Sequence, residues 1–70
     1  MKSEANNKIR QFDQVLEIIQ KHKYQKTRLI TILQEVQEAQ GYLSREAVVA
    51  IGERLNLPAS KIYGVATFYN

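Results

Sequence analysis

Apolar side chains in the first forty positions return at helical steps, and that period decides what the chain can fold into. Ile9, Phe12, Val15, Leu16 and Ile19 are separated by three or four residues, or adjoin, which places them on one face of a helix over about residues 7–22. Asn6 or Asn7 is the candidate cap. The pattern returns in Leu29, Ile32, Leu33, Val36 and Ala39, with Gln34, Glu35, Gln37 and Glu38 facing out, so a second helix is expected over about 28–40 with Thr27 as its cap. Gly41 follows the last periodic residue and suits the left-handed backbone that closes a helix. Tyr42 and Leu43 are then expected to cross toward the core.

Ser44 opens Arg45-Glu46-Ala47-Val48-Val49-Ala50-Ile51-Gly52-Glu53-Arg54-Leu55, a cap followed by an acid in the first turn, which predicts a third helix over about 45–55. Its stripe is Val48, Ile51 and Leu55, and Gly52 beside Ile51 reads as a close helix approach. Asn56 tolerates the left-handed geometry that ends the helix, and Pro58 suits the first turn of a fourth helix that fades over Thr67–Asn70, where β-branched and aromatic residues gather. The fold class is all-α, a small four-helix bundle over residues 7–70, with residues 1–6 read as a disordered tail.

Ordering 70 residues costs on the order of 100 kcal/mol, so nearly every apolar residue must serve the core and little remains for a substrate pocket. The chain has no cysteine, which excludes thiolate metal sites, iron-sulfur ligation and thiol catalysis within it, and its single histidine excludes an imidazole-pair metal site. No catalytic, cofactor-binding or metal-ligating residue is assigned. There is neither an apolar run long enough to span a bilayer nor a signal-peptide core, so a cytoplasmic protein is expected.

The net charge of +3 is unevenly placed: residues 1–28 hold seven Lys or Arg against three acids, and residues 29–70 hold three against four. Its centre is Lys21-His22-Lys23-Tyr24-Gln25-Lys26-Thr27-Arg28, read either as a contact for phosphate, nucleic acid or an acidic partner, or, the favoured reading, as a helix end complemented by cations and running into a solvated loop. His22 sits between two lysines with no sequence neighbour to orient it, and reads as solvated surface. Glu35, Glu38, Glu46 and Glu53 suit surface ion pairs, such as Glu46 with Arg45 or Glu53 with Arg54.

Residues 47–69 have the spacing of a helix-turn-helix, yet the second helix offers Lys61 alone to phosphates or base edges. A small nucleic-acid-binding module is therefore the alternative reading, with nucleic acid not the expected partner. The apolar, aromatic stretch Ile62–Asn70 either folds Phe68 back onto the bundle or presents it to a partner; for Tyr69 the interface is favoured.

Leu29-Ile30-Thr31-Ile32-Leu33-Gln34-Glu35-Val36-Gln37-Glu38-Ala39-Gln40-Gly41-Tyr42-Leu43 and, above all, Tyr63-Gly64-Val65-Ala66-Thr67-Phe68-Tyr69 resemble the N-terminal helical domain of the thioredoxin-like iron-sulfur subunit of NADH:quinone oxidoreductase and its kin in NAD(P)-reducing hydrogenases and formate dehydrogenases. The family often has proline at Thr31 and Ser44, where all three residue types start helices equally well. The resemblance implies a docking and assembly domain of a subunit that passes electrons between a flavoprotein and iron-sulfur clusters. It implies no cofactor and no enzyme activity in this chain: the 2Fe-2S cluster belongs to four cysteines of a following thioredoxin-like domain, and FMN and NAD(P) to partner subunits. The partners implied are that flavin- and NAD(P)-binding subunit and the cluster domain. The expected junction is Tyr63, Gly64, Phe68 and Tyr69, the glycine for close backbone approach and the aromatics for buried area.

Overall fold

The computed structural model describes residues 4–69, with side chains for residues 10–67. Four helices follow one another: α1 (Glu4–Lys21), α2 (Leu29–Gln40), α3 (Arg45–Leu55) and α4 (Ala59–Tyr69), with a short 3₁₀ turn, Lys26–Arg28, leading into α2. Among the described residues there is no strand, and the all-α bundle expected from the periodicity is what forms. Both α1 and α4 pack against both α2 and α3, so consecutive α2 and α3 occupy opposite corners.

The core draws on every helix: Val15 and Ile19 from α1, Leu29, Ile32, Leu33 and Val36 from α2, Ala47, Val48, Ala50, Ile51 and Leu55 from α3, and Ile62 from α4. Fully burying one Ile or Leu contributes about 1.5–3 kcal/mol, so these residues carry most of the stabilisation. Leu43 packs against the core from the α2–α3 connection, which must cross the bundle to reach the opposite corner. Tyr42 does not follow it and is 56% exposed.

Three stripe residues fall outside the core, and the side chain of a fourth, Ile9, lies outside the described residues; Leu16 is half-buried and is not among the residues packed against the core, where Ile18 takes its place. Phe12 is 42% exposed, because the buried face of α1 is made by Val15, Ile18 and Ile19, while the turn before them borders an open groove beside the α2–α3 connection. Ala39 is exposed too; the face of α2 that meets α1 is continued by Gln40, whose Nε2 donates to the Gln11 carbonyl at 2.8 Å and to Gln14 Oε1 at 3.2 Å.

The helix ends are set by local chemistry. Ser44 Oγ accepts from the Ala47 amide at 3.0 Å, the expected cap of α3. Gly41 closes α2 at φ +84°, donating to the Gln37 carbonyl at 2.7 Å, and Asn56 closes α3 at φ +57°. Pro58 sits just before α4, and its carbonyl accepts from the Lys61 and Ile62 amides. Other caps are corrected. α1 includes Glu4, Ala5, Asn6 and Asn7, so neither asparagine caps it. Thr27 lies inside the 3₁₀ turn, and Arg28 precedes α2 without a side-chain cap, because the turn itself satisfies the first amides. Thr67, Phe68 and Tyr69 continue α4 against their weak helix propensity, the packing of Ile62, Val65 and Ala66 having already fixed the preceding turns.

Where α1 ends, tertiary contact overturns the solvated reading of His22. Its side chain is only 12% exposed, and its Nε2 meets Glu35 Oε2 of α2 at 2.9 Å. Lys21 Nζ meets Glu35 Oε1 at 2.7 Å. With Gln40 on Gln11 and Gln14 near the far end of α2, the α1–α2 hairpin is tied at two places. Between the helices, Lys23 (φ +58°) and Tyr24 (φ +56°) both adopt left-handed backbone, and their amides donate to the Gln20 and Ile19 carbonyls at 2.8 and 3.2 Å.

Gly52 is where α3 admits the turn into α4. A Cβ there would lie 2.8 Å from the Leu57 carbonyl oxygen and 3.3 Å from Ile62 Cδ1. Gly52→Ala gains about 1 kcal/mol of helix propensity but forces backbone aside, an overpacking that costs about 1–3 kcal/mol. The expected outcome is a lower Tm, by several degrees for each kcal/mol of net loss; a Tm at or above the parent's would show that the approach is not what requires glycine.

The hydrogen bond from Lys21, and after it the one from His22, holds the Glu35 carboxyl below its ordinary value of 4.5. The folded chain therefore binds this proton less readily than the unfolded one. The stabilisation is complete above the ordinary value and is lost as pH falls through the lower, folded one. On acidification from about pH 6 to about pH 3, the parent's Tm should drop further than that of Glu35→Gln. Parallel Tm–pH curves would show that the pair contributes nothing to folding.

Candidate docking surface

α4 divides its residues between two environments. Ile62 is fully buried and Val65 and Ala66 pack against the core, at the three- and four-residue spacing of an inner face. Tyr63, Gly64 and Thr67 lie on the exposed side, Tyr63 with 46% of its surface open. A Cβ added to Gly64 would meet nothing within 4 Å. Glycine inside a helix costs about 1 kcal/mol relative to alanine, and among the described residues no packing calls for it. The expected junction residues Tyr63 and Gly64 are thus brought together on one accessible face. Phe68 and Tyr69 belong to α4 by backbone, and their side chains, with the choice between core and interface for Phe68, lie outside the described residues.

The alternative of a groove-reading helix finds one cation on α4, Lys61, and no further Lys or Arg. Glu53 approaches Arg54 at 3.9 Å with both side chains well exposed, an arrangement that contributes little. Glu46 instead lines the groove of about 340 Å³ formed with Phe12, Val15, Tyr42 and Ala47. A histidine oriented by a carboxylate is half of a general-base arrangement, but neither His22 nor Glu35 lines this groove, and Lys21 occupies the carboxylate's other oxygen. The pair clamps two helices. Among the described residues no group of three or more His, Cys, Asp or Glu converges, and no helix is long and apolar enough to cross a membrane.

The groove and the His22–Glu35 contact both escape a residue-by-residue reading of the sequence. Antiparallel pairing of α1 and α2 through a short loop is the signal that brings residues 22 and 35 together, and it becomes available only once the hairpin register is fixed.

Residues 15–70 match the family described as thioredoxin-like [2Fe-2S] ferredoxin. Similar proteins include a subunit of the NADH-quinone oxidoreductase of Pseudomonas aeruginosa, 45% identical over 51 residues, which cover 70% of this chain and 31% of that protein. Its counterpart in the NADH-quinone oxidoreductase of Salmonella typhimurium is 42% identical over 53 residues, covering 73% of this chain and 32% of the relative. The chain spans about a third of the length of these curated relatives. No solved structure matches it. With the family match running from the buried stripe of α1 through the exposed Tyr63–Gly64 face of α4, this chain belongs to the thioredoxin-like [2Fe-2S] ferredoxin family.

Proposed function

We propose that this chain is the helical docking and assembly domain of an iron-sulfur subunit in an NAD(P)H-linked oxidoreductase, joining the electron-carrying parts without carrying electrons itself. The observation that supports it most is α4. The Tyr63–Tyr69 string that carries the resemblance lies on a helix with one face in the core and another, with Tyr63 and Gly64, accessible. A 2Fe-2S cluster is held by thiolates, and the chain has no cysteine, so its residues do not fit the cluster. What remains for this domain is to position: a helical body buries its own core and offers the helix face with Tyr63 and Gly64 to the cluster domain or to the flavin- and NAD(P)-binding subunit. Aromatic anchors in a close-packed interface centre typically carry most of the binding energy.

The two glycines of the last helices give a test that separates docking from folding. Gly64→Ala should raise the melting temperature of the chain by a few degrees, since alanine gains up to about 1 kcal/mol where no neighbour intrudes. The same substitution should weaken association with the flavin-bearing subunit in a pull-down, as should Phe68→Ala, with little cost to the melt. Unchanged capture of both variants, or a melt that collapses with Phe68→Ala while capture persists, overturns the docking reading.

A further inference from the structure

We propose that the loop joining α1 to α2 is a preformed cationic docking element for an acidic protein surface, with Lys23, Lys26 and Arg28 supplying charge and Tyr24 the anchor. The cations are concentrated and available. Residues 1–28 hold seven Lys or Arg against three acids, whereas residues 29–70 hold three against four. The carboxylate that reaches this end of α1, Glu35, is occupied on both oxygens by Lys21 and His22. Lys23, Lys26 and Arg28 are exposed and make no ion pair among the described residues.

The loop also has one held shape. Lys23 and Tyr24 sit in succession at φ +58° and +56°, a backbone that costs a residue bearing a side chain about 1–2 kcal/mol each time. Glycine or asparagine would relieve that cost in a segment that merely connects two helices. The amides of Lys23, Tyr24 and Gln25 nevertheless donate to the carbonyls of Gln20, Ile19 and His22, closing the turn. The result leaves Tyr24 49% exposed, with Lys23 and Lys26 beside it in sequence.

Three free cations and one ring fit a protein better than a nucleic acid or a lipid surface. Duplex readers typically neutralise about 6–10 phosphates, and lipid-binding basic segments gather about 4–8 Lys or Arg. An exposed tyrosine with three exposed cations within four residues of it along the loop instead matches the anchor and rim of a protein interface, where rim charges steer the encounter. The identity of the partner rests on the docking function proposed above; the acidic character of its surface rests on the loop.

The test follows association of the full chain with the purified flavin-bearing subunit by stopped flow, from about 50 to about 500 mM NaCl. For the parent, kon should fall about tenfold or more with salt. A Lys23→Gln, Lys26→Gln, Arg28→Gln triple variant should start about tenfold slower and respond weakly to salt, with its melt unchanged because all three side chains are exposed. Tyr24→Ala should keep kon and dissociate faster. If the triple variant associates at the parent's rate, the proposal is wrong, whatever Gly64→Ala does. If Gly64→Ala dissociates like the parent while the triple variant is slowed, the α4 reading fails and the loop stands. No association by the parent overturns both. Tighter binding to a duplex of about 20 base pairs than to the subunit assigns the loop to nucleic acid and likewise overturns the proposal.

Discussion

Three of the four helices have 11 or 12 residues, lengths at which an isolated helix is marginal in water, so each depends on burying an apolar face against the others. α3 is the residue-rich side of that core, contributing Ala47, Val48, Ala50, Ile51 and Leu55, and it is flanked by α1 and α4. Small and branched side chains alternate along it, which lets its neighbours come close without voids. Gly52 extends the same logic to the backbone, removing a side chain where the Leu57 carbonyl must pass. The turn through Asn56 and Pro58 then delivers Ile62 onto the core, and with it the rest of α4.

The features legible in the sequence are those whose cause lies within a few residues. Ser44, Gly41 and Asn56 each act on backbone groups no more than five positions away, and the structure uses all three as expected. Phe12 and Ala39 obey the same periodicity as Val15 and Val36 yet stay exposed, because which part of a stripe is covered depends on where the neighbouring helix ends. His22 shows the limit more sharply. Its neighbours in sequence are cations, and its partner in space is a carboxylate thirteen residues away, set by hairpin register. The helical state of Thr67–Tyr69 is likewise a tertiary result, since local propensity argues the other way. On the candidate surface, the residue types of Tyr63 and Gly64 were readable from the string that carries the family likeness, while their accessibility follows from Ile62, Val65 and Ala66 being drawn inward.

Gly52 and Gly64 make the distinction between folding and docking concrete. Both interrupt helices at a similar cost in propensity, but one faces a carbonyl at 2.8 Å and the other faces open space. A position that gives up stability with no return among the described residues is what a surface reserved for close approach by another body would contain. The chain's composition agrees with that division of labour: its apolar residues are committed to one small core, and it has no thiolate with which to hold the family's cluster.

Steering and holding place different demands on a surface, and the two proposed surfaces of this chain would meet them with different parts. Charges act over about 8–10 Å at moderate salt, need no precise fit and lose little by being mobile at their tips, so a cationic loop at a helix junction is well suited to raising encounter rates. An aromatic helix face acts only at contact, where its burial sets how slowly the complex comes apart. In the proposed steering element, Lys21 and His22 occupy both oxygens of Glu35, and Lys23, Lys26 and Arg28 make no ion pair among the described residues. In the proposed holding surface, the burial of Ile62 fixes α4 on the core and leaves Tyr63 and Gly64 on a helix already formed before any partner arrives. On that reading, separating the two demands leaves the core of this chain to hold both surfaces in place.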